Sequence, residues 1–220
     1  MQLIADSSII KALNTFRLGL ISSQVKYNSS ATELRIKIEK EVARVRDKFR
    51  LDEINKLEVI NETRNAYKVL GNDPNRYRPS ADSLLRRIVK GMGIYNINNI
   101  VDILNLVSIQ SGFSIGGYDL AKINGDATIG IGKEKEPYWG IGRGSLNIKN
   151  LPVLRDREGA FGSPTSDSER TMIKSETSEI LFVFFDFGCN SSLEVYLSAC
   201  IELLITYCNA KTPSSTILMF

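Results

Sequence analysis

The texture of the sequence changes at about Phe113, and that change limits the possible folds more than any other feature. Before it, apolar residues recur at helical spacing. Leu34, Ile38, Val42, Val45 and Phe49 form one such stripe, with Lys, Glu and Arg on the other face. Ser30-x-x-Glu33 just ahead of it reads as a capping box. A second helix is expected from about Asp52 to Leu70, stopped by Gly71 with Pro74 beyond. A short one opens at Pro79-Ser80, carries Leu84, Leu85, Ile88 and Val89, and closes at Gly91. Ile100 to Ile109 is apolar almost all round, as a buried helix should be. Leu20 to Tyr27, near the start, suits a strand.

After Phe113 the pattern becomes short β-like runs between glycine-rich turns: Thr128 to Ile131, Tyr138 to Ile141, Leu146 to Leu154 and Glu179 to Phe187. A last helix is expected over about Ser192 to Tyr207, then a short tail after Pro213. Helices first and strands second predict an α+β fold. With 220 residues, no repeat and no low-complexity linker, one domain over 1–220 is expected.

The chain contains no histidine. That excludes Ser-His-Asp and Cys-His pairs, His-ligated zinc, and the side chain whose ordinary pKa lies nearest neutrality. Any catalysis must use carboxylates, hydroxyls, Lys, backbone amides or the substrate's own groups. Cys189, Cys200 and Cys208 form no CxxC pair. Cys200 and Cys208 would lie roughly 12 Å apart along one helix, beyond disulfide reach. Neither a cofactor nor a metal site is expected. The most apolar window, Ile180 to Phe185, is strand length, so no membrane association is expected, and the N-terminus lacks a signal-peptide pattern. A cytoplasmic location is the simplest expectation.

A net charge of +3 does not announce a nucleic-acid binder, but its distribution is uneven. Residues 64–90 hold seven cations (Arg64, Lys68, Arg76, Arg78, Arg86, Arg87, Lys90) against two carboxylates, Asp73 and Asp82, a local +5. Arginine's planar fork suits phosphate or carboxylate recognition. The same segment also reads as a solvated helix-loop-helix whose arginines pair with carboxylates elsewhere. Asp102 and Asn105 share one face of the buried helix and need partners, an arginine such as Arg86 or Arg87, or a backbone amide. Together they suit a structural network or the floor of a polar pocket. Gly159-Ala160-Phe161-Gly162-Ser163 running into Asp167-Ser168-Glu169-Arg170-Thr171 suits close approach of backbone to a ligand, with Ser163, Asp167, Ser168 and Arg170 supplying hydrogen bonds. It equally suits a hairpin loop with Asx and Ser turns.

Taken in order, several strings resemble one family: Arg64-Asn65-Ala66-Tyr67-Lys68-Val69-Leu70-Gly71, Asp73-Pro74-Asn75-Arg76-Tyr77-Arg78-Pro79-Ser80, Leu84-Leu85-Arg86-Arg87, Asn98 to Ser108, Gly117-Tyr118-Asp119-Leu120 and Asp167-Ser168-Glu169-Arg170-Thr171. The chain resembles a free-standing B3/B4 domain, the module also found in the beta chain of bacterial phenylalanyl-tRNA synthetase. The resemblance covers roughly residues 17–208 and leaves 209–220 as a tail. It implies a β-sandwich-like core covered by helices and a link to RNA-associated quality control. In the synthetase this module hydrolyses tyrosine wrongly esterified to tRNA, and a free-standing member should not charge tRNA by itself.

Carried over by position, the resemblance places the glycine-rich turn of the editing pocket at Gly159 to Ser163, with Gly162 at its tight point. The acid that reads the tyrosine hydroxyl falls on Val183, and the pocket histidine has no counterpart. Gly162, Ser163 and Asp167 are therefore the expected catalytic set. Arg64, Arg76, Arg78, Arg86, Arg87, Asp102, Asn105, Asp119, Ser168 and Arg170 are the expected ligand or tRNA contacts. The expected function is an RNA-associated hydrolase acting in trans on a mischarged aminoacyl-tRNA. The alternative is a non-catalytic module binding tRNA or an amino-acid-like ligand. The apolar Thr216 to Phe220 invites a third expectation, docking on a larger partner.

Overall fold

The computed structural model describes all 220 residues. The chain starts with strand β1 (Leu3–Ala5), helix α1 (Ser7–Leu13) and strand β2 (Arg17–Gln24). Helix α2 (Thr32–Lys48) buries Leu34, Ile38 and Val45, the stripe its periodicity predicts. The capping box does not form. Ala31 is the N-cap, and no side chain caps the helix. Ser30 instead donates its hydroxyl to Asp102 Oδ2 at 2.6 Å, because a buried carboxylate 72 residues away is a stronger acceptor site than an exposed turn is a donor site.

Helix α3 (Glu58–Val69) starts six residues later than the sequence suggests, since Ile54–Lys56 forms a separate 3₁₀ turn. It stops at Gly71, whose φ of +82° lets Asn72 N–H reach back to Tyr67 O. Helices α4 (Ser80–Val89) and α5 (Asn99–Ser111) follow, the latter capped by Asn98, whose side chain accepts from the Ile100 and Val101 amides.

The second half supplies β3 (Ser114–Asp119), β4 (Ala127–Ile131), β5 (Trp139–Gly140), β6 (Gly144–Ser145), β7 (Pro152–Asp156), β8 (Gly159–Gly162) and β9 (Glu179–Asp186), then helix α6 (Leu193–Cys208) and strand β10 (Lys211–Met219). Two expectations change here. Only the end of Leu146–Leu154 is strand, and Gly159 to Gly162 is the returning strand of a hairpin rather than its turn. The residues after Pro213 are no loose tail: β10 pairs antiparallel with β2, from Ser214 opposite Ser22 to Met219 opposite Arg17.

Two four-stranded sheets result, ordered β1-β4-β7-β8 and β10-β2-β9-β3. β9 lies inside the second and is buried on both faces, which explains its unbroken apolar run. Phe182 and Phe184 join α2, α5 and α6 in the helix-covered core. Leu181, Val183 and Phe185 pack with Ile129, Leu154 and Phe161 between the sheets. The fold is α+β: a β-sandwich with helices over one outer face. No helix is long and apolar enough to cross a membrane.

Candidate functional site

A cavity of about 200 Å³ opens where α4, α5 and β3 meet the loop after β8. Helical spacing delivers its helical walls: Ser80 and Leu84 from α4, and Val101, Leu104, Asn105 and Ser108 from α5. β3 adds Ile115 and Gly117, and Ile141, Met172 and Ile173 close the apolar side. Ser163, Ser166 and Asp167 form the polar side. The volume lies below the roughly 300 Å³ at which drug-sized sites begin, so it suits a group of amino-acid side-chain size.

The loop carrying the polar wall is fixed by its own hydrogen bonds and from α3, α4 and both sides of β5. Ser163 Oγ donates to Ser166 O at 3.0 Å and accepts from the Thr165 and Ser166 amides. The Tyr67 hydroxyl of α3 shares a 2.8 Å hydrogen bond with Thr165 Oγ1. The Tyr138 hydroxyl donates to Ser166 O, Ser80 N–H at the start of α4 donates to Pro164 O, and Ile141 N–H donates to Asp167 O. A loop held at so many points presents a preorganised surface.

Asp167 sits on the free edge of β3, where Gly117 N–H donates to its Oδ2 at 3.0 Å. Its Oδ1 is buried and has no hydrogen-bond partner. The Tyr118 hydroxyl lies beside it, near enough to favour ionisation but outside hydrogen-bonding geometry, and is likewise unpartnered. Burial pushes the Asp167 carboxyl up to about 7, against the pull of the Gly117 amide and the Tyr118 hydroxyl.

The structure brings Ser163, Asp167 and Asn105 into one cavity and sends most other expected residues elsewhere. Gly162 is not a turn glycine. It lies in β8 facing Tyr118, where a Cβ would fall 2.1 Å from the tyrosine hydroxyl. Asp102 leaves the cavity wall and accepts from Ser30 and from the Ile97 amide at 2.9 Å, so its partners are a hydroxyl and a backbone group, not an arginine. Arg64 is 6% exposed and is spent on Asp82, Pro74 O and Asn75. Arg86 takes the other oxygen of Asp82 and Leu51 O. Both arginines hold the helical layer together, since Asp82 is fully buried and needs them.

Arg170 is paired bidentately with Asp156, and with Glu158 at 3.3 Å. Ser168 caps the short 3₁₀ turn of Arg170, and Asp119 accepts from the Ala121 amide and the Thr177 hydroxyl. Arg76 and Arg78 are exposed and form no ion pair. Arg87 follows Ser80 and Leu84 on one face of α4 and lies over the Tyr95 ring at 4.0 Å, its Nε buried without a partner. Val183 packs between the sheets and does not line the cavity.

The sequence singles out Tyr118 only within the string Gly117-Tyr118-Asp119-Leu120 and not as a site residue. The signal was the pair Gly116-Gly117 inside a strand, which marks close approach of other groups.

The B3/4 domain family model matches residues 62–188. The phenylalanine–tRNA ligase beta subunit of Fusobacterium nucleatum is 31% identical over 107 residues, covering 48% of this chain and 13% of that protein. The corresponding subunit of Rhodopirellula baltica is 32% identical over 79 residues, covering 35% and 12%. Each match thus spans only about an eighth of the ligase subunit. An N-terminal fragment of the phenylalanyl-tRNA synthetase beta-subunit from Pyrococcus horikoshii superposes with a TM-score of 0.48 and 12% identity, over 98% of this chain and 50% of that one.

Proposed function

The chain belongs to the B3/4 domain family, and from that premise we propose that its cavity receives the aminoacyl end of a charged tRNA and hydrolyses the ester. The observation that carries this reading is the placement of Asp167, the one acidic side chain in the wall of a small cavity, where burial pushes its carboxyl up to about 7, in a chain without histidine. A general base works best when its pKa lies near the working pH. An aminoacyl ester is already activated, so a positioned water and a stabilised oxyanion suffice. Ser163 is not the nucleophile, because its hydroxyl is committed to the loop backbone.

The apolar walls and the absence of a cation among the lining residues favour an uncharged, small aminoacyl side chain. Arg87, on the same face of α4 as the lining residues Ser80 and Leu84, and the exposed Arg76 and Arg78 supply cations for the RNA backbone. The relatives are by name tRNA ligase subunits, which supports tRNA as the partner.

The test is a panel of charged tRNAs incubated with the purified chain. At least one should be deacylated faster than in buffer, with a rate rising through pH 7, and Asp167→Asn should slow it by about 10²-fold or more. No acceleration across the whole panel sinks the reading. A second reading, binding without chemistry of tRNA or an amino-acid-like ligand, is favoured by the engaged Ser163 hydroxyl. It predicts that the chain protects one charged tRNA from spontaneous hydrolysis.

A further inference from the structure

We propose that Tyr118 is the positioning residue for Asp167: its hydroxyl, lodged in a slot kept open by Gly116 and Gly162, holds Asp167 Oδ1 and thereby orients the carboxyl against the edge of β3. The slot is explicit in the geometry. A Cβ on Gly116 would lie 2.0 Å from the Tyr118 hydroxyl and 3.0 Å from Asp167 Oδ1. A Cβ on Gly162, from the other sheet, would lie 2.1 Å from the same hydroxyl. Two glycines in two different sheets thus clear space for one oxygen atom.

Packing alone gives no reason for that oxygen. The Tyr118 ring is fully buried and meets Phe161 edge-on at 5.0 Å, contacts that a phenylalanine would make equally well. A buried hydroxyl without a partner is unfavourable, and so is a buried carboxylate oxygen without one. Each of these two orphans is the other's available partner, since both oxygens lie within 3.0 Å of the place a Gly116 Cβ would occupy. Oδ2 is already taken by Gly117 N–H, so the second contact would fix the carboxyl plane. The groups facing the carboxyl are then the Gly117 amide and the Tyr118 hydroxyl from β3. The Tyr138 hydroxyl nearby is committed to Ser166 O. Both β3 groups donate to the ionised form, and so lower a pKa that burial raises.

The catalytic meaning of this contact rests on the hydrolytic reading above, but the contact itself does not. The experiment therefore measures Asp167 directly, by carboxyl ¹³C NMR titration of the full chain without RNA, in the parent, Tyr118→Phe and Gly162→Ala. Both variants should raise the Asp167 midpoint, Tyr118→Phe by about one pH unit. If the chain deacylates a tRNA, Tyr118→Phe should also slow the reaction about fivefold at pH 7 and leave it unchanged above pH 9. An unmoved midpoint in folded Tyr118→Phe overturns the proposal. Should that variant not fold, Gly162→Ala decides in the same way. A moved midpoint in a chain inactive on every charged tRNA keeps the positioning role and removes only the hydrolytic one.

Discussion

Asp167 shows how one carboxyl can weaken a fold while equipping it. Burial pushes its carboxyl from the ordinary value near 4 up to about 7 on folding. Between those values the folded state holds a proton that the unfolded state has released, so stability falls as pH rises through this window and is level above it. Asp167→Asn removes the dependence. Its amide oxygen can accept from Gly117 N–H, and its amine can face the Tyr118 hydroxyl. The variant should match the parent near pH 4 and exceed it by roughly 2–4 kcal/mol at pH 8, read from urea unfolding at several pH values. Equal stability at pH 8 would mean that the carboxyl is hydrated in the folded state.

The elements repeat this lesson with longer range. Helix α2 was legible because burial of one face leaves a period in the sequence, and α5 and β9 because burial all round leaves a nearly continuous apolar run. Ser30 departs from the expected cap because a capping box is a local pattern, whereas its partner, Asp102, arrives from α5. Ser30→Ala should therefore cost about 1.5–3 kcal/mol, the range for a hydrogen bond to a charged group. Glu33→Ala should cost under about 0.5 kcal/mol, like other surface changes. Thermal unfolding of the two variants separates the readings, and the reverse order would restore the cap. The arginine segment was legible as a charge count but not as a direction. Arg64 and Arg86 turn inward because α4 brings a buried Asp82 between them, and of its five arginines Arg76, Arg78 and Arg87 stay out of ion pairs. Of the site, Ser163 and Asp167 could be named in advance. Tyr118 could not, because the need for its slot appears only when Gly162 returns beside Gly116 from the other sheet.

At the scale of the molecule, the two sheets share one core, and its outer boundary is drawn by β10. That strand covers β2 along most of its length, and Phe220 exchanges backbone hydrogen bonds with Phe16 in both directions. Its polar stretch Ser214-Ser215-Thr216 and bulged start hide it from a pattern search, as befits an edge strand. Deleting residues 211–220 should lower the unfolding temperature by more than about 10 °C, since a whole strand and the Phe16–Phe220 contact at 5.2 Å are lost. A truncated chain that melts with the parent would return those residues to the status of a detachable tail. The same topology has a kinetic side. β2, made of residues 17–24, lies between strands made of residues 179–186 and 211–219, and β1 pairs with β4 more than 120 residues away. Contacts of such high order are slow to form. During synthesis, β2 emerges well before β9 and β10 and stays unpaired until they follow. The cell must keep that apolar ribbon from finding another partner until then.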